Sequence, residues 1–292
     1  MPEWHDAAMR PRPFPWRRPV RHLRSLVLAM SATITAAGCG SSTSSVGQPL
    51  AASPSPSSMA DDSGLPPDDP ADAGAAPAPR PDFCAAAKAG ALVDVTKTPQ
   101  APYFVHEPDE PAASADTIVF VPGGPGSRDT AQATFELWLA RGSTLGRHRV
   151  IVPYAADGDL TDEGDRIVPV LDEVLACFGG SRARVHLAGT SNGGRAAFAI
   201  MLKSHERFVS LLGAPGLFDN ATDAQLTNAL AGKAVFNGAG ALDAQWRPLV
   251  QATDARLRSL GIDSVYVEQP GEGHILDAHA NQELFFQFWA AH

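Results

Sequence analysis

A chain of 292 residues, 44% of them hydrophobic, is long enough for one large α/β domain with an N-terminal extension, or for two small domains. Its formal net charge of −9 disfavours nucleic-acid binding, which needs a basic face against the phosphates. The three cysteines, Cys39, Cys84 and Cys177, lack metal-ligand spacing such as Cys-x-x-Cys, and the length of the chain argues against a disulfide scaffold.

The first element in chain order is an export signal. Arg10, Arg12, Arg17, Arg18, Arg21 and Arg24 form a basic region, an apolar run follows at 25–34, and small residues lead to Cys39. That layout is a secretory signal peptide, and the apolar run is shorter than the roughly 20 residues a spanning helix needs. A start at Met9 would give a more compact signal. The end of the signal, Ala36-Ala-Gly-Cys39, resembles the lipobox of bacterial lipoproteins, although Ala36 stands where Leu is usual. The resemblance implies acylation of Cys39 and a protein held at a membrane of the bacterial cell envelope; plain secretion is the alternative. Residues 40–80 are rich in Ser, Pro and Ala and cannot bury enough apolar surface to offset ordering entropy. They read as a tether that holds a folded domain, 81–292, away from that membrane.

In the folded domain, short β-branched runs alternate with helical stretches. The runs lie at 117–121, 149–152, 184–187, 208–212, 233–236 and 264–267, with an earlier antiparallel strand expected at 103–106. Helices are predicted at about 129–142, 162–178, 192–204, 222–231, 244–260 and 278–290. Strands separated by helices imply an α/β fold: a mostly parallel, twisted sheet with helices on both faces and right-handed crossovers. In such sheets the chemistry sits just beyond the carboxyl ends of the strands.

After the run ending at Leu187 comes Gly189-Thr-Ser191-Asn192-Gly193-Gly194, and then a helix. A Gly-x-Ser-x-Gly sequence between strand and helix lifts a serine hydroxyl above the sheet, with helix N–H groups behind it. The segment resembles the nucleophile elbow of the α/β-hydrolase superfamily, and its Gly-x-Ser-Asn-Gly-Gly form is similar to prolyl-oligopeptidase-like and polyester-depolymerase-like members. The resemblance covers about 100–292 as an order of motifs. It implies an α/β-hydrolase fold with Ser191 as nucleophile and Gly189 and Gly193 as the elbow glycines.

The run at 117–121 leads into Pro122-Gly-Gly124-Pro-Gly-Ser127. Acyl transfer requires backbone N–H donors for the developing oxyanion. One donor is expected from Asn192 and the other from this loop, at Gly124. The loop resembles the His-Gly-Gly-Pro-Gly loop of proline-iminopeptidase-like hydrolases, with Pro122 replacing the His, which weakens a peptidase reading. A phosphate-binding loop is disfavoured because no Gly-Lys-Ser/Thr follows.

Of nine histidines, His274 sits in a Gly-rich loop after the last strand, where this fold places its base. His186 lies within a strand, His205 follows a helix and His148 precedes a strand. His279 offers a second imidazole near His274, but no third ligand accompanies them, so neither metal nor cofactor is expected. Gly240-Ala-Leu-Asp243 resembles the family's Gly-x-x-Asp, making Asp243 the expected acid, with Asp219 the alternative. Only residues 216–232 separate two late strands where many members carry a cap, so no large cap domain and an open site are expected. Export would allow Cys84 and Cys177 to form a disulfide. Three functions remain: a carboxylic-ester hydrolase acting on small or polymeric acyl esters, a serine peptidase on the same triad, and a non-catalytic surface lipoprotein. The oligomeric state is left open.

Overall fold

Among the described residues, β-branched runs assemble an eight-stranded sheet. The architecture is that of a computed structural model, which describes residue 84 and residues 88–109, 115–155 and 164–292. The signal, Cys39 and the tether lie outside the described residues. The strands are β1 (Leu92–Val95), β2 (Tyr103–His106), β3 (Asp116–Val121), β4 (His148–Pro153), β5 (Val185–Gly189), β6 (Ser210–Gly213), β7 (Ala234–Gly240) and β8 (Asp263–Gln269). The first two pairings, β1 with β2 and β2 with β4, are antiparallel, and the remaining strands run parallel.

Between the parallel strands lie α1 (Arg128–Trp138), α2 (Gly164–Phe178), α3 (Asn192–Ser204), α4 (Asp223–Leu230) and α5 (Arg247–Ser259), and α6 (His279–Ala291) follows β8. Each predicted helix is present, with ends shifted by a few residues. Strand β1 was not expected. It is a four-residue edge strand, half-buried along most of its length, too short to carry an alternation.

Two layers of side chains fix the helices to the sheet. Val119, Val121, Ile151, Leu187 and Val235 join residues of α2, α3, α4 and α5 in one apolar cluster. Phe236, next to Val235, turns to the opposite face and meets Phe285 and Phe288 of α6 at 5.8 and 5.6 Å between ring centres. Successive residues of a strand point to opposite faces, so one strand serves both layers.

Strand β4 lies on one side of β3 and β5 on the other. The chain therefore reverses its direction of travel across the sheet there, which opens a crevice at the strands' carboxyl ends. Between β6 and β7 the chain forms only α4, and no cap domain interrupts it.

Cys84 and Cys177 have Cα atoms 5.2 Å apart and are joined through their sulfurs, tying the start of the domain to the end of α2. Closing a loop of 93 residues removes entropy from the unfolded chain. In exported protein, Cys84→Ser lowers unfolding free energy by about 2–4 kcal/mol in urea titrations, and dithiothreitol reproduces the loss. Identical curves with and without reductant would mean the thiols stay free.

Three histidines are buried in the sheet. Burial pushes His106 and His148 below the ordinary imidazole value, and it pushes His186 down to about 4. His186 Nδ1 lies 2.8 Å from Ser210 Oγ on the neighbouring strand. A base with a lowered native pKa binds fewer protons folded than unfolded between the two values. Stability therefore falls as pH drops from about 6.5 toward 4, with His186 alone costing at most about 3 kcal/mol. Urea midpoints measured across that range should decline, and His186→Gln should flatten the slope.

Candidate active site

The position of Ser191 is set by steric exclusion. A Cβ at Gly189 would come within 2.2 Å of the Gly193 carbonyl, and one at Gly193 within 2.2 Å of the Pro122 carbonyl. Only glycines let strand β5, helix α3 and the 122–126 loop approach this closely. The turn forces Ser191 to φ 55°, ψ −123°, a conformation L-residues rarely adopt. Its N–H is held by the Pro215 carbonyl at 2.9 Å, and Thr190 Oγ1 donates to the Ala214 carbonyl at 2.6 Å.

The hydroxyl so presented meets the imidazole. His274 Nε2 lies 2.8 Å from Ser191 Oγ, and His274 Nδ1 lies 2.7 Å from Asp243 Oδ2. The other carboxylate oxygen of Asp243 accepts the N–H groups of Gln245 at 3.2 Å and Trp246 at 3.0 Å. Burial pushes this carboxyl up, but the Trp246 N–H, the His274 ring and the Gln245 N–H together hold it below the usual carboxylate range. It is ionised near neutral pH and faces the ring nitrogen opposite the one that meets Ser191.

Asp219 is placed elsewhere. Both its oxygens accept from Arg195, at 2.6 Å each, and Arg195 lies one helical turn after Ser191. The ion pair flanks the elbow without reaching the His274 nitrogen that Asp243 occupies.

The 122–126 loop packs against the elbow. A Cβ at Gly123 would lie 3.0 Å from the Thr190 carbonyl and 3.3 Å from Ser191 Cβ, so this residue abuts Ser191. Gly124 adopts φ +58°, and its carbonyl accepts from Asn192 Nδ2 at 3.1 Å. The Asn192 N–H belongs to the first turn of α3, where helical geometry provides no partner within the helix.

Several supports of the pair Asp243–His274 have no signal in the sequence. The Trp246 ring lies 5.2 Å from the His274 ring and the Arg195 guanidinium 6.0 Å from the Trp246 ring. Glu272, two residues before His274, receives Asn281 Nδ2 on both carboxylate oxygens at 2.9 and 2.7 Å. Its backbone carbonyl accepts the Leu242 N–H at 2.8 Å, so one residue links the acid loop, the base loop and α6. A Cβ at Gly240 would fall 2.0 Å from the Gly273 carbonyl, which is why the acid loop carries a glycine there. These contacts join residues far apart in the sequence and have no local pattern.

No family model matches the chain, and no curated protein matches it by sequence. Solved structures share its fold. A feruloyl esterase module from Clostridium thermocellum, in complex with sinapinate, superposes with a TM-score of 0.55 at 13% identity, over 71% of this chain and 90% of that one. The chain has the α/β-hydrolase fold. A fluorophosphonate-binding serine hydrolase from Staphylococcus aureus, substrate bound, gives 0.53 at 15% identity over 70% and 100%. An acetyl xylan esterase from Aspergillus awamori gives 0.51 at 14% over 70% and 100%.

Proposed function

We propose that this α/β-hydrolase-fold chain is a serine hydrolase that cleaves carboxylic esters through an acyl-enzyme, exported and held at the cell envelope by an acyl group on Cys39. The observation that carries the reading is the continuous relay from Ser191 Oγ to His274 Nε2 and from His274 Nδ1 to Asp243. A serine hydroxyl is a poor nucleophile until a base takes its proton. In this reading His274 accepts that proton as Ser191 Oγ attacks the acyl carbon. Asp243 stabilises the imidazolium that forms. The Asn192 N–H and an N–H of the 122–126 loop, at Gly124 or the neighbouring Gly123, stabilise the oxyanion. Collapse breaks the bond to the alcohol, which leaves with the proton from His274. Water then attacks the acyl group, again giving a proton to His274, and the acid departs as Ser191 regains its hydrogen.

The strained φ of Ser191 supports a functional elbow, since such a conformation persists where surrounding structure holds it. Esterases and serine hydrolases among the superposed structures are consistent with this reading. The test is turnover of p-nitrophenyl acetate beside prolyl p-nitroanilide, followed from the first milliseconds. An initial burst of nitrophenol stoichiometric with enzyme and preference for the ester support it. Turnover of the anilide alone favours a peptidase, and turnover of neither overturns the proposal.

A further inference from the structure

Large hydrophobic side chains that stand in solvent concentrate at one place on the described surface. Three are exposed: Leu242 at 70%, Ile275 at 52% and Leu249 at 51%. Single exposed leucines are ordinary on any protein and carry no message. These three are not scattered. Leu242 immediately precedes Asp243, Ile275 immediately follows His274, and Leu249 follows Trp246 by three helical positions on the first turn of α5.

The catalytic contacts fix these segments together. Asp243 and His274 are hydrogen-bonded at 2.7 Å, the Leu242 N–H is bound to the Glu272 carbonyl, and the Trp246 ring lies beside the His274 ring. Trp246 is itself only half-buried. The acid and the base are thus each followed or preceded in the chain by an exposed aliphatic residue, with Leu249 one helical turn from Trp246. The Arg195 guanidinium, 6.0 Å from the Trp246 ring centre, is paired with Asp219 and already satisfied.

We propose that Leu242, Trp246, Leu249 and Ile275 form the binding surface for an extended alkyl group of the ester, so that the preferred substrates are medium- or long-chain alkyl esters rather than acetates. The inference rests on the ester-hydrolase reading above and names its substrate class. Contiguous exposed apolar surface beside reactive groups marks a binding site. Partial burial of two aliphatic side chains by a bound chain amounts to about tenfold or more in affinity for the transition state.

The experiment uses the full-length chain and two ester series, each kept below its critical micelle concentration. One series lengthens the acyl side, p-nitrophenyl acetate to octanoate. The other lengthens the alcohol side, ethyl acetate to octyl acetate. In the unaltered protein kcat/KM should rise at least tenfold from the short to the long member of one series, which also tells which side this surface receives. The double variant L242S/I275S should lose that rise, its long-to-short ratio of kcat/KM falling to within threefold of one. L249S should show the same effect more weakly. These are substitutions of side chains already in solvent, so folding is little affected. A flat response to chain length overturns the inference, as does an unchanged long-to-short ratio in the double variant. An equal loss on every ester also overturns it, because the side chains would then be supporting the loops. Absence of any ester turnover by the unaltered protein would instead remove the hydrolase reading itself.

Discussion

Asp243→Asn lowers kcat on p-nitrophenyl acetate by about 10⁴-fold, because an amide at this position favours the wrong imidazole tautomer and cannot stabilise the imidazolium. Asp219→Asn should leave kcat within a few-fold. The contrast follows from where the two carboxylates are engaged. Asp243 is buried, ordered by two backbone N–H groups and faces His274 Nδ1. Asp219 is half-exposed and engaged with Arg195 on both oxygens. Purified variants compared by steady-state kinetics, with circular dichroism to confirm folding, decide the assignment. Equal losses would mean that the acid is shared or misassigned.

Arg149→Ala destabilises the domain by about 3–5 kcal/mol, the penalty for leaving a buried charge without its partner. Arg149 has no exposed surface, and its guanidinium meets both oxygens of Glu107, at 2.6 and 3.0 Å. It also donates to the carbonyls of Gly179 at 2.6 Å and Phe178 at 3.2 Å, at the C-terminal end of α2. One side chain therefore joins the end of β2, the strand β4 and the helix that carries Cys177. Removing it strands the Glu107 carboxylate, 4% exposed, together with the two carbonyls. The double variant Arg149→Met with Glu107→Leu should recover much of the loss, since apolar replacement of a buried pair is often neutral. Urea unfolding followed by tryptophan fluorescence measures both. A single variant as stable as the unaltered protein would mean that water enters and solvates Glu107.

Much of this organisation is legible in the sequence because the signals are local. β-branched runs and the helical periods between them give the parallel strands and their order. The Gly-x-Ser-x-Gly turn and the Gly-rich loop before His274 lie at the ends of those runs, so topology alone suggests that they converge. The edge strand Leu92–Val95 escapes notice because four residues carry too little pattern. Contacts such as Trp246 against His274, Glu272 with Asn281 and Arg149 with Glu107 depend on how separate elements pack. No residue type or spacing announces them. The choice between Asp243 and Asp219 illustrates the limit: both follow strands, and only the packing of α3 pairs Asp219 with Arg195.

All of the chemistry argued for this chain depends on a hydroxyl made nucleophilic by an imidazole 2.8 Å away. Fluorophosphonates phosphonylate serines activated in this way and ignore ordinary ones, so labelling followed by peptide mass mapping tests the point directly. One stoichiometric adduct is expected, on the peptide containing Ser191, and none in Ser191→Ala. An adduct on another residue, or equal labelling of the two proteins, would contradict it.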